Sequence, residues 1–142
     1  MKRKSSLYIK DLLEAMEKIE EFTQGMSFED FIQDDKTSSA VVRKLEIIGE
    51  AVKQLPKEVR DRFEEIPWSS LAKTRDKIIH FYHGMDYEII WRIIKEELPL
   101  LKSSFEKIHI KLLQEKRNKR FRSTSLRQYA LLLSFRLIPC SA

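Results

Sequence analysis

Apolar residues recur three and four positions apart through almost all of the first 113 residues of this chain, and nowhere do they alternate convincingly with period two. That spacing lines one stripe of a helix and leaves no place for a half-buried sheet. Leu7, Leu12, Leu13, Met16, Ile19 and Phe22 mark a first helix, which Gly25 stops. Ser27 suits the cap of a short second helix over 28–32, with Glu29 and Asp30 at its positive end. Thr37 and Ser38 introduce a third, carrying Val41, Val42, Leu45, Ile48 and Val52 on one stripe up to Pro56. A turn or short helix over 57–65 leads to Ile66-Pro67-Trp68. Ser69 or Ser70 caps a fourth helix, with Leu71, Thr74, Ile78 and Tyr82 roughly in line, closing near Gly84. Asp86 caps a fifth that carries Ile89, Ile90, Ile93, Ile94, Leu98 and Leu101, and Pro99 is expected to kink or break it. The predicted class is all-α, a bundle of four or five helices with short connections.

Composition narrows the setting. The 142 residues suit one domain, and 42% apolar with 35% charged residues describes a soluble helical globule rather than a disordered chain. A single cysteine, Cys140, has no internal partner, and no Cys/His cluster has the spacing of a zinc site. The expectation is a cytoplasmic protein without metal or cofactor. The basic start MKRKSSLYIKDLLEA is interrupted by Lys10, Asp11 and Glu14, so it does not read as a signal peptide, and no run approaches a membrane span.

Charge is unevenly placed. Residues 107–142 carry nine Lys/Arg against Glu115 alone, a net of +8, which leaves residues 1–106 at −3. The chain therefore divides into a bundle domain over 1–113 and a basic C-terminal extension over 114–142. The extension reads as poorly ordered or loosely docked. Two alternatives stay open: a phosphate-binding arm, with Phe121 and Tyr129 as stacking surfaces, and a membrane-surface segment.

Two of the three histidines fall in KTRDKIIHFYHGMD, with Arg75, His80 and Tyr82 close together. Arginine offers a permanent cationic fork that matches phosphate oxygens. Histidine exchanges protons near neutral pH, and tyrosine supplies a hydroxyl that can donate, accept or be modified. The trio suits metal-free RNA cleavage, in which the ribose 2′-hydroxyl attacks the adjacent phosphorus. An Arg/His pair five apart also occurs as a surface arginine beside a helix-end histidine. On a straight helix Arg75 and Tyr82 share a face while His80 stands about 140° round. A common target thus requires either unwinding near His80 or a second copy across a two-fold axis.

Several separate blocks stand in order: Arg43-x-x-Glu46-x-x-Gly49-Glu50-Ala51, Ile66-Pro67-Trp68, Arg75-x4-His80-x-Tyr82, Asp86 with Trp91, and Leu98-Pro99-x-Leu101. Over roughly residues 5–110 they resemble the HepT-like family, toxin subunits of the HEPN superfamily encoded beside a small nucleotidyltransferase. The resemblance implies a HEPN-like helical homodimer with the Arg/His motifs of both subunits facing a shared cleft. It further implies a toxin–antitoxin ribonuclease that needs no metal, with Arg75 holding the phosphate and His80 acting as general base or acid. Tyr82 matches the family tyrosine that the nucleotidyltransferase antitoxin can adenylylate, an off-switch by bulk and negative charge.

The neighbouring residues read as support or structure. Glu46 and Glu50 share a helix face, one to hold Arg43 or to reach across and orient Arg75. His83, where family members often carry an aromatic residue, reads as a solvent-facing helix-end histidine, with a second titrating group in the cleft as the alternative, and His109 has no assigned role. Trp68, Trp91 and Phe81 are expected in the core or at the dimer surface. The competing function is a non-catalytic scaffold for the nucleotidyltransferase that binds RNA or nucleotide without cutting. A third reading makes the chain mainly an adenylate acceptor at Tyr82.

Overall fold

A computed structural model describes residues 4–80, 84 and 86–135. All its regular elements are helical, as the apolar spacing predicts, and they fall into two units, residues 1–109 and 110–142. In the first unit, α1 (Ser5–Phe22) buries Ile9, Leu12, Leu13, Ala15, Met16 and Ile19. Leu7, expected on that stripe, is 41% exposed. It precedes Leu12 by five positions, about 140° around the axis, and Ile9 takes the inward place. The helix closes where the Thr23 hydroxyl donates to the Ile19 carbonyl, and Gly25 follows with a φ of 72°, a conformation that favours glycine.

The short α2 (Phe28–Gln33) starts in a reciprocal cap. Ser27 Oγ accepts from the Asp30 amide at 3.1 Å while the Asp30 carboxylate accepts from the Ser27 amide at 2.9 Å. The longer α3 (Asp35–Gln54) begins two residues before Thr37. Asp34 is the true cap, and its carboxylate accepts from both the amide and the hydroxyl of Thr37. Thr37 is thus the donor, not the cap. Val41, Leu45, Ile48, Ala51 and Val52 form the buried stripe of α3, which packs against both α1 and α5.

After α4 (Lys57–Arg62), α5 (Trp68–His80) begins at Trp68 itself, ahead of the serines expected to cap it. The indole fixes this start: Trp68 Nε1 donates to the carbonyls of Phe63, at 2.8 Å, and Arg60, at 3.0 Å. Its ring meets Phe105 edge-on. Asp86 caps α6 (Tyr87–Arg92) by accepting from the amides of Glu88 and Ile89.

A π-helical turn over Ile93–Glu97 then leads directly into α7 (Leu98–Phe135). Pro99 therefore does not end the helix. It offers no N–H and its ring crowds the turn before it, and the chain meets both demands by widening that turn, with the Leu98 amide bonding back five residues to Ile93. The core closes with Phe31, Ile90, Ile94, Leu98, Phe105 and Ile108, each contributing about 1.5–3 kcal/mol on burial. Trp91, half-buried, packs its ring at a tilt against Phe31, centroids 5.2 Å apart. Lys102 on α7 donates to Glu20 on α1, which holds its ammonium more firmly protonated than an ordinary lysine. Along the second unit α7 is exposed, with Phe121, Leu126 and Tyr129 each more than half accessible. Among the described residues no helix is long and apolar enough to cross a membrane.

Candidate active site

The placement of Arg75 begins with a glycine on another helix. A Cβ at Gly49 of α3 would stand 2.3 Å from Arg75 Cβ and 3.4 Å from its Cα, so the helices can cross this closely only where α3 has no side chain. Gly49 costs α3 about 1 kcal/mol of helix propensity. In exchange, the backbone of α5 and the stem of Arg75 are set directly against α3. The sequence shows Gly49 only as one letter of a block, and its signal is a glycine held in mid-helix with no turn nearby.

The guanidinium then meets charges from both helices. Arg75 Nε lies 3.5 Å from a Glu50 carboxylate oxygen on α3, and a terminal nitrogen lies 3.5 Å from Asp76. Both contacts are longer than a well-formed hydrogen bond, so neither carboxylate saturates the five donors of the fork. The side chain keeps 32% of its surface accessible, enough to meet an incoming anion. Asp76 is tied in turn to Lys53 of α3 by a short ion pair. That hydrogen bond, then the Lys53 and Arg75 charges, hold the Asp76 carboxyl below its ordinary value. Lys53 and Asp76 escaped the sequence reading, because only the folded crossing reveals that they meet.

Glu46 and Glu50 take separate tasks. Glu46 accepts from Arg43 at 3.0 Å on its own helix, whereas Glu50 faces Arg75 and also accepts from Gln54 at 2.9 Å. Tyr8 and Asp11 of α1, Arg43, Glu46 and Glu50 of α3, and Arg75 line a shallow groove of about 290 Å³. Two arginines facing carboxylates give this groove mixed charge, suited to hold a guanidinium in position for an anion that contributes its own oxygens.

His80 is the last residue of α5, and the backbone stays helical from Arg75 to that point. The Cα atoms of the two residues therefore stand about 140° apart around the axis. Of the two routes to convergence, unwinding between Arg75 and His80 is not the one the backbone takes. The His80 imidazole, and the whole of Phe81, Tyr82 and His83, lie outside the described residues. His109 is half-buried on α7 and is not among the residues lining the groove.

Known proteins supply the remaining constraint. A family profile described as Ribonuclease HepT-like matches residues 12–108, most of the first unit. A protein of Thermococcus cleftensis, provisionally named a ribonuclease HepT, is 50% identical over 108 residues, covering 76% of this chain and 98% of its own length. A provisionally named RNase of Methanocaldococcus jannaschii is 47% identical over 107 residues, 75% of this chain and 88% of that one. Another from Caldanaerobacter subterraneus is 46% identical over 101 residues, 71% and 90% of the two chains. No solved structure matches. With a matched profile that spans the α3–α5 crossing and Arg75, the chain belongs to the HepT-like ribonuclease family.

Proposed function

We propose that this protein is the toxin-type endoribonuclease of a toxin–antitoxin pair, acting as a homodimer and without a metal. The observation that carries the reading is Arg75, anchored against Gly49 and steered by Glu50 with donors to spare, at the rim of an open groove. A fork so held stabilises the charge that accumulates on a phosphate oxygen as it becomes five-coordinate. His80 takes the proton of the ribose 2′-hydroxyl as the O2′–P bond forms. An imidazolium returns a proton to O5′ as the P–O5′ bond breaks. The products are a 2′,3′-cyclic phosphate and a 5′-hydroxyl, and no proton or charge is left for a metal to manage.

The helical backbone between Arg75 and His80 supports a composite site. Since the two residues diverge on one helix, Arg75 of one protomer and His80 of the other complete a cleft across a two-fold axis. Tyr82 lies two residues beyond His80, where adenylylation by a partner nucleotidyltransferase places bulk and negative charge beside the scissile phosphate and silences the enzyme.

The test is incubation of RNA with the purified protein in the presence of a chelator, with end-group analysis of the fragments. Fragments ending in cyclic phosphate, lost with Arg75→Ala and His80→Ala, are the expected result. RNA bound but never cut under any condition assigns the chain instead to a binding scaffold. Intact mass after co-expression with the nucleotidyltransferase tests Tyr82, where a mass unchanged with ATP counts against modification.

A further inference from the structure

From Ile110 onward the molecule departs from the matched family region, which ends at residue 108. Between residues 110 and 135 the chain carries seven Lys/Arg and a single acid, Glu115, and all of it is helical. Lys116, Arg117, Lys119, Arg120, Arg122 and Arg127 are every one exposed. We propose that this segment of α7 is a single-stranded RNA-binding arm. It grips the phosphate backbone without regard to sequence and so holds substrate on the chain that carries Arg75. The inference deepens the ribonuclease reading and takes the identity of the polymer from it.

The placement of charge favours RNA over a lipid surface. At 100° per residue, Lys116, Arg120 and Arg127 fall within about 40° of one another and span about 16 Å of helix. Arg117 lies on one flank of this stripe and Lys119 on the other, while Arg122 stands on the far side. A helix that lies in a membrane interface needs its apolar residues gathered on one face and its cations on the other. Here Arg122 stands between Tyr129 and Leu126 around the axis, and the exposed Leu131 falls within about 20° of Arg120 on the cationic stripe, so the two kinds of residue do not separate.

Arg122, Asn118 and Ser125 fall among Phe121, Tyr129 and Leu126, so no continuous apolar face is left to bury in lipid. The segment does offer what a flexible polyanion uses: many cations at varied angles, which release counterions as phosphates bind. The rings of Phe121 and Tyr129, 77% and 66% exposed, add flat surfaces on which any base can stack. Because arm and site share one chain, RNA captured by the first is presented to the second at raised effective concentration.

The experiment uses the full chain and a 2′-O-methyl oligoribonucleotide, which cannot be cleaved, so that its outcome is independent of catalysis. Binding is followed by fluorescence anisotropy across a salt series, for wild type and for the protein with all six cations changed to glutamine. Expected is a fall of at least about two units in the slope of log affinity against log salt, since each single-strand phosphate contact contributes about 0.7. The triple change Lys116→Gln/Arg120→Gln/Arg127→Gln gives about half that fall and guards against misfolding of the larger variant, with circular dichroism as the check.

On cleavable RNA the same variants raise KM and leave kcat unchanged. If slope and affinity match wild type, the arm is refuted even where cleavage is intact. If wild type cuts no RNA but the slope still falls, the arm stands and the nuclease reading is what fails. Binding to phosphatidylserine vesicles that disappears in the glutamine variants, with RNA affinity unaltered, overturns the inference in favour of a membrane surface.

Discussion

Phe105 and Phe121 stand on the same helix and lead opposite lives. Phe105 is fully buried against Trp68, while Phe121 is 77% exposed. The secondary structure is alike, so what differs is the reason for it. Before His109 the helices are held by apolar stripes that cover one another, and the charges between them are mixed in sign and locally paired. Beyond it the helix is clothed in cations and carries its apolar residues in the open. One region spends its residues on setting the stem of an arginine against a neighbouring helix. The other presents charge and needs little geometry, and we read the first as chemistry and the second as capture.

The same substitution in the two regions is the strongest way to break this contrast. Phe105→Ala is expected to lower the unfolding free energy by about 3–5 kcal/mol, whereas Phe121→Ala changes it by less than about 0.5 kcal/mol. Urea titrations of both variants decide it, and similar losses would show that the exposed stretch of α7 is packed in solution.

Next in size is Gly49→Ala, expected to cost about 1–3 kcal/mol because the new methyl meets the stem of Arg75 rather than a movable end. A gain in stability, as helix propensity alone would give, contradicts the close crossing. Adding Arg75→Gly should restore stability and not cleavage, which separates packing from chemistry.

A smaller effect is expected from Glu50→Gln. The Arg75–Glu50 pair is partly exposed and long, so cleavage should fall by no more than about fivefold with the fold intact. A larger loss would give Glu50 a part in proton transfer.

The smallest is an acid dependence. The Asp76 carboxyl lies below its ordinary value in the fold, so its contribution is complete above the unfolded value. It fades as pH falls through the lower, folded one. The carboxyl is half exposed, so solvent screens its pairs and the change in an acid unfolding curve is slight. Asp76→Asn should flatten it below pH 4, and an unaltered curve removes the Lys53–Asp76 link from the account.

What the sequence revealed follows the range of each interaction. Ser27 and Asp86 were readable as caps because a cap acts within three residues of itself. The start of α3 was misplaced by two residues because Asp34 and Thr37 are both capping types, and only geometry says which accepts. Pro99 was readable as a disturbance, but whether a proline breaks a helix or widens its turn depends on what the flanking residues bury, here Ile94 and Leu98. The Arg75–Glu50 approach spans two helices. The sequence offered it as one of two options for the glutamates, and the fold uses both, one for each acid.

We propose that Arg75 and His80 meet across a two-fold axis. The direct test co-expresses Arg75→Ala and His80→Ala chains bearing different tags and isolates the mixed dimer. One of its two clefts then keeps an intact arginine and an intact histidine, and the account expects about half of wild-type cleavage from two chains that are each inactive alone. A mixed dimer as inactive as its parents contradicts it.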